Sequence, residues 1–149
     1  MKNNKGITLV AVILTVIILV MLAGVIAIER GDTYEKSSVV QFIAYMKMIQ
    51  KKVDFYVEEG VNCENLGRSL TLENKSNLQN IIDLDYQNLI STSDVNSTKL
   101  RYFNSTDIYK YFDIADINDE IIVNFENREI ISLTGVEKDG EKYYVENGL

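Results

Sequence analysis

Residues 7–28 read ITLVAVILTVIILVMLAGVIAI, a run of the chain without a single charged side chain. Only Thr8, Thr15 and Gly24 in this run are other than strongly apolar or Ala. At about 1.5 Å per residue, a helix over these residues is about 33 Å long, which is enough to cross a hydrocarbon core of about 30 Å. We therefore predict a single transmembrane helix over residues 7–28.

The charges on either side of this run predict its orientation. Lys2 and Lys5 precede it, and all 22 acidic residues of the chain lie at or after Glu29. Positively charged flanks of membrane helices stay on the cytoplasmic side. We expect a cytoplasmic N-terminus in the cell membrane and an extracytoplasmic acidic body.

Composition excludes several classes of function. The 149 residues suit one domain, with 15 basic and 22 acidic residues, a net charge of −7, no His and one Cys. An intrachain disulfide and His-based catalysis are therefore excluded, and a zinc site is disfavoured. The acidic balance also argues against direct nucleic-acid binding. With no phosphate loop or nucleophile elbow, we predict no enzyme, no catalytic residue, no metal and no cofactor.

A short basic leader that ends in glycine precedes the apolar run. Residues 1–6 read MKNNKG, and ITLVA follows at 7–11. This junction resembles the N-terminal signal of type IV pilins and pseudopilins, in which a prepilin peptidase cuts after the glycine and methylates the new N-terminus. The resemblance implies a leader at 1–6 with Gly6 and Ile7 as processing residues. It also implies an assembly helix that opens with Ile7, Thr8, Leu9, Val10 and Ala11.

Ala11 departs from the family pattern. It occupies the fifth mature position, where the family usually has Glu to offset the N-terminal amine of a neighbouring subunit in an apolar bundle. This departure favours a minor or tip subunit over a major one.

The resemblance also implies partners: the membrane, a prepilin peptidase, other pilin subunits, a pilus assembly ATPase and a platform protein. The filament could be a pilus at the cell surface, a competence pseudopilus for DNA uptake or a secretion pseudopilus. Two alternatives stay open. One is a membrane-tethered extracytoplasmic binding or sensory domain that does not polymerise, and the other is a secreted protein cleaved after Ala27.

Residues 29–60 predict the amphipathic second half of the same helix, which runs from Ile7 to about Glu59 with a weak point at Gly31 and a stop at Gly60. The apolar stripe is expected to pack on the chain's own head. Its members recur at three- and four-residue spacing: Val39, Phe42, Ile43, Met46, Ile49, Val53, Tyr56 and Val57.

Residues 61–149 predict a globular α+β head. We expect a short helix capped by Ser76, a strand over 99–103 and a second helix starting near Ser105 or Thr106. Residues 120–125 and 129–133 predict a hairpin whose turn has Asn127 at positive φ, and Asp139-Gly140 predicts a further turn. The fold class is α+β: a long N-terminal helix, transmembrane then amphipathic, packed against a small antiparallel β-sheet head as in pilins.

A few side chains of the head could carry chemistry. Cys63 predicts a buried free thiol, and the tyrosines at 109–111 and 143–144 predict packing in the core and across strands. Two acidic sets predict solvated loop carboxylates more readily than a calcium site, because neither has calcium-loop spacing. They are Asp113, Asp116, Asp119 and Glu120, and Asp83, Asp85 and Asn88.

Overall fold

The computed structural model describes residues 5–149, with side chains described at 12–19 and from Lys36 onward. The chain has the predicted α+β class. Its elements are α1 (Lys5–Glu58), a 3-10 turn (Cys63–Asn65), α2 (Leu72–Leu84), β1 (Leu100–Phe103), α3 (Ser105–Phe112), β2 (Ile121–Asn124), β3 (Glu129–Ser132), β4 (Val136–Lys138) and β5 (Glu141–Tyr143). Two compact units divide after Ser37.

The end of α1 lies where the glycine signal predicted it. Gly60 has φ +67°. Its N–H donates to the Val57 carbonyl at 3.2 Å, and the Val61 N–H donates to the Tyr56 carbonyl at 2.9 Å. This pair of bonds is a Schellman motif, in which a left-handed residue satisfies the last carbonyls of the helix. A glycine adopts that conformation at little cost.

The second unit, residues 38–149, buries the predicted stripe of α1. Val39, Phe42, Met46, Ile49 and Val53 are buried in one cluster with residues of the sheet and α3. Ile43, Tyr56 and Val57 pack against the same cluster at its edge. The prediction that this stripe packs on the chain's own head is confirmed.

The main sheet has the order β1-β2-β3, and both neighbouring pairs are antiparallel. All four residues of β2 are buried. Ile121 and Val123 face the α1 cluster, whereas Ile122 belongs to a second cluster with Leu78 and Ile81 of α2. The continuous apolar run in β2 therefore reflects a strand buried on both faces.

The predicted cap of α2 is wrong. Ser76 lies inside the helix, and Thr71 caps it in a reciprocal capping box with Asn74. The Asn74 N–H donates to Thr71 Oγ1, and the Asn74 side-chain oxygen accepts the Thr71 N–H at 3.1 Å. α3 begins at Ser105 as predicted, with a similar box made by Asn104 and Asp107.

The turns between the last strands correct two details. In the β2–β3 turn, Arg128 has the positive φ of 62° that we predicted for Asn127. The Asn127 side chain instead accepts the Glu129 N–H at 3.1 Å. The Asp139-Gly140 turn is confirmed, with φ of 54° and 79°. It joins β4 and β5 in a separate two-stranded sheet, so the last hairpin does not extend the main one.

Candidate functional site

The predicted processing and assembly residues lie at the start of α1. The backbone of Gly6, Ile7, Thr8, Leu9, Val10 and Ala11 is helical, and their side chains lie outside the described residues. The predicted leader, 1–6, has only its last two residues described. The processing junction therefore stays a prediction.

An exposed apolar segment follows at residues 12–19. All eight of its side chains are exposed, and the seven apolar ones have between 45% and 59% of their surface accessible. The eighth, Thr15, is the only hydroxyl in the segment. Eight successive helical residues cover every direction around the axis. Residues 12–19 thus present apolar side chains on all sides of α1.

Such a segment needs an apolar environment. A helix that is hydrophobic all round is buried in a membrane or among other helices. Complete burial of one Val, Leu or Ile side chain stabilises by about 1.5–3 kcal/mol. A side chain that is half exposed can therefore still gain roughly half of that free energy when it is buried. The seven apolar side chains together leave on the order of 5–10 kcal/mol to be gained from lipid or protein contact. Among the residues whose side chains are described, no helix is both long and apolar enough to cross a membrane.

The second unit has its own unpartnered helix face, opposite the buried stripe of α1. We call it the outer stripe and define it as Val40, Ala44, Met48 and Phe55, all of them exposed. Val40 is 64% exposed, Met48 51% and Phe55 53%. Lys51 and Lys52 lie between the last two members and are exposed as well. This face is free to contact a partner.

A buried carboxylate holds α1 to the sheet. Asp119, which is 7% exposed, accepts hydrogen bonds from the Tyr45 hydroxyl and from Ser132 Oγ, the latter at 2.7 Å. The Glu120 and Thr134 N–H groups donate to its other oxygen at 2.7 and 3.3 Å. Burial raises the pKa of the Tyr45 hydroxyl well above its ordinary value of 10.0, and the charge of Asp119 raises it further. The carboxylate is fully engaged by these donors, so the arrangement positions α1.

The prediction of solvated loop carboxylates is wrong for Asp119, which is buried. The other three members of its set are exposed, as predicted. Asp85 of the second set accepts the Ile90 N–H at 2.7 Å. Within the described side chains, no group of three or more His, Cys, Asp or Glu residues is placed to hold a metal ion. Cys63 is a free, buried thiol, as predicted.

An open groove of about 430 Å³ lies beside Asp119. It runs between α1 and the loops on either side of the β2–β3 hairpin, and Phe42, Met48, Ile117 and Val136 contribute apolar surface to it. Every buried polar side-chain atom in the described part of the chain has a hydrogen-bond partner. The groove combines this apolar surface with polar side chains that include Gln41, Asp116 and Asn118.

Arg101 is a buried charge that the sequence analysis missed. It is 8% exposed, and its Nε donates to the Leu66 carbonyl at 2.8 Å. Its Nη atoms donate to Ser69 Oγ and to the carbonyls of Glu64 and Gly67, between 3.0 and 3.2 Å. The guanidinium thus organises the 64–69 loop. A lone Arg within the strand-forming LRYF was the available signal.

Glu129 holds the other long loop in the same manner. Its two oxygens accept the N–H groups and hydroxyls of Ser91 and Thr92, at 2.5 to 2.9 Å. Thr92 Oγ1 in turn accepts from Asn124 Nδ2 at 3.0 Å. These bonds fix the 85–99 loop to the start of β3. No pattern in the sequence predicts them, because the partners are far apart along the chain.

The tyrosines serve mainly in packing. Tyr111 and Tyr143 pack at the edge of the cluster that contains the buried stripe of α1. Tyr144 packs against the second cluster, which contains Leu78 and Ile81 of α2. Tyr109 is 59% exposed. Burial, together with a hydrogen bond to Glu120 and its charge, raises the pKa of Tyr102 to about 12. The predicted packing role is thus confirmed for three of these residues and not for Tyr109.

The chain matches no protein-family model, no curated protein and no solved structure.

Proposed function

We propose that this chain is a pilin-like structural subunit, of the minor or tip kind, in a type IV pilus or pseudopilus. A prepilin peptidase cuts it after Gly6, and the new N-terminal helix from Ile7 anchors it in the membrane before assembly. In the filament, that helix packs with the helices of other subunits. The subunit carries no catalytic residue and holds no cofactor.

The observation that carries this proposal is the exposed apolar segment at residues 12–19. Its side chains face all directions, so no contact on one side of α1 can cover them. A membrane covers such a helix on all sides, and so does a bundle of like helices. A subunit that moves from the membrane into a filament has this segment covered first by lipid and then by the helices of other subunits.

The second unit, residues 38–149, supports the same proposal in a different way. It buries one stripe of α1 in its own core and leaves the opposite face exposed. A tethered domain that acts alone has no need for an apolar helix face in solution. A subunit that stacks with others uses such a face as a contact.

The proposal is tested by whether the chain is cleaved after Gly6. We expect a Gly6→Leu variant, expressed with a prepilin peptidase, to remain uncleaved and to stay in the membrane fraction. The matched control is Gly24→Leu, which makes the same substitution inside the apolar run and leaves the junction intact. Cleavage is followed by intact mass, and assembly by shearing the cells and collecting released filaments.

The outcomes separate this function from the alternatives. Loss of cleavage in the Gly6 variant alone, with release of the unmodified chain by shearing, supports a filament subunit. A chain that keeps its leader and is never released by shearing is a tethered extracytoplasmic domain. A chain that starts after Ala27 is a secreted protein.

A further inference from the structure

A second pocket, of about 270 Å³, lies at the outer edge of β3 and shares no lining residue with the groove beside Asp119. The buried side chains of Met46, Ile130 and Val145 give it an apolar wall. Its other lining side chains are polar, and three of them carry amides: Gln50, Asn127 and Asn147. An apolar wall with a few convergent polar groups is the usual composition of a small-molecule site.

The register of the main sheet leaves the main chain of Ile130 open at this pocket. The Leu133 N–H donates to the Glu120 carbonyl at 2.7 Å, and bonded and non-bonded pairs alternate along an antiparallel ladder. Ile130 and Ser132 therefore direct their N–H and C=O groups away from β2. The Ser132 N–H meets the Tyr144 carbonyl at 2.8 Å, whereas within the described part of the chain no hydrogen bond engages Ile130 on this side. A residue only 5% exposed needs a polar partner for these groups.

The open edge is one residue long, and this limits the size of an occupant. On one side of Ile130, Tyr144 already occupies the edge at Ser132. On the other side, β3 begins at Glu129, and Arg128 before it turns with φ +62°. An added peptide strand needs a row of free N–H and C=O groups. A single pair suits two neighbouring hydroxyls, because each hydroxyl can both donate and accept.

The charged side chains around the pocket already have partners. Arg128 Nη1 lies 3.5 Å from Asp54 Oδ1, and Lys47 Nζ lies 3.3 Å from Glu146 Oε1. Glu129 accepts four hydrogen bonds from the long loop that it holds. A charged ligand would have to compete with these pairs, so the pocket favours an uncharged one.

Two of the amides keep hydrogen-bonding capacity for such a ligand. Gln50 Nε2 donates to Asp54 Oδ1 at 3.0 Å, which leaves Gln50 Oε1 as an acceptor. The Asn147 side chain is exposed and takes part in no hydrogen bond among the described residues. Its amide therefore offers two donor hydrogens and one acceptor oxygen. Hydroxyl groups complement both kinds of group.

We propose that this pocket binds one uncharged, polyhydroxylated ring, a monosaccharide unit. Two neighbouring hydroxyls of the ring bond the N–H and C=O of Ile130. Further hydroxyls bond the amides of Gln50 and Asn147, and the C–H face of the ring lies against Met46 and Val145. The inference concerns the second unit alone and does not depend on how the N-terminus is processed.

Binding is measured by NMR on the ¹⁵N-labelled full-length chain in phosphocholine micelles, because alkyl-glycoside detergents would themselves present sugars. The probes are glucose, galactose, mannose and N-acetylglucosamine, with zwitterionic serine and inorganic phosphate as charged comparisons. We expect at least one sugar to bind with a Kd on the order of 1–10 mM, and neither charged probe to bind. The N–H resonance of Ile130 should be among those that move most.

Two substitutions test the polar contacts. Gln50→Leu and Asn147→Ala should each raise the Kd of the bound sugar about fivefold. The matched control is Gln79→Leu, since Gln79 Nε2 donates to Asp83 Oδ1 at 2.9 Å along α2 as Gln50 does to Asp54 along α1. Gln79 lies outside the pocket, so its variant should keep the Kd within about twofold of the parent. Unchanged urea midpoints establish that the variants are folded.

Other results overturn the inference. If none of the four sugars binds, the pocket is not a monosaccharide site. Preferential binding of serine or phosphate refutes the uncharged ligand. Sugar binding that leaves the Ile130 resonance unmoved, or that Gln79→Leu weakens as much as Gln50→Leu does, refutes the location. Cleavage after Gly6 is measured separately, so each of these failures leaves the proposed function standing.

Discussion

Removal of one hydroxyl from α1 should lower the stability of the second unit, residues 38–149, measurably. In a Tyr45→Phe variant, Asp119 loses the donor that links it to the helix and keeps Ser132 and two N–H groups. A hydrogen bond to a charged group contributes about 1.5–3 kcal/mol. We therefore expect the free energy of unfolding at neutral pH to fall by about 2 kcal/mol.

The same variant should change the pH dependence of stability. The pKa of Tyr45 is raised on folding by burial and by Asp119. Above pH 10, the unfolded chain therefore loses a proton that the folded chain keeps, and stability falls as pH rises. For one such group the loss is about 1.4 kcal/mol at pH 11 relative to neutral pH. Tyr45→Phe removes this contribution, so the stabilities of parent and variant should converge above pH 10.

Urea unfolding of a fragment covering residues 38–149, the compact second unit, measures both effects. The control is Tyr109→Phe, the same chemical change at a tyrosine that is 59% exposed. The control should alter stability by less than about 0.5 kcal/mol. Equal effects of the two substitutions at neutral pH, or parallel stability curves from pH 9 to 11, would refute the role assigned to Tyr45.

Two further substitutions test local parts of the fold by the same urea assay. Gly67→Ala should cost at least about 2 kcal/mol, because φ is +57° and the new Cβ would lie 2.7 Å from the Phe103 ring. Gly140→Ala, also at positive φ but with no atom within 4 Å, should cost less; a larger loss there would contradict the steric argument. Thr71→Ala should cost about 1 kcal/mol through loss of the α2 cap, whereas Ser76→Ala inside the helix should be nearly neutral; the reverse order would show that the cap is misassigned.

Much of the fold could be predicted because its signals are local. The three- and four-residue spacing from Val39 to Val57 identified the buried stripe of α1, and Gly60 identified its end. The strands around residues 120–133 and the Asp139-Gly140 turn were also recognisable from short segments. Each of these features depends on residues within one or two turns of each other.

The features that were missed depend on contacts between distant segments. Burial of Asp119 requires Tyr45 and Ser132, which lie on separate elements. Arg101 and Glu129 organise loops that lie more than thirty residues away. The cap at Thr71 was missed because Asn74 takes the place that Glu or Gln usually holds in a capping box.

The candidate site follows a similar division. The apolar run at residues 7–28 was evident from the sequence. The structure adds that the apolar side chains at residues 12–19 are exposed and can still gain free energy from contact with lipid or protein. The outer stripe was not recognised from the sequence, although the spacing of the buried stripe places it on the opposite side of α1; the structure shows Val40, Met48 and Phe55 exposed there.

The central claim is that this chain is processed as a filament subunit, and the N-terminus of the chain isolated from its own cells tests it most directly. Intact mass and N-terminal sequencing should show a chain that begins at a methylated Ile7 and lacks residues 1–6. A chain in the membrane fraction that still begins at Met1 would contradict the claim.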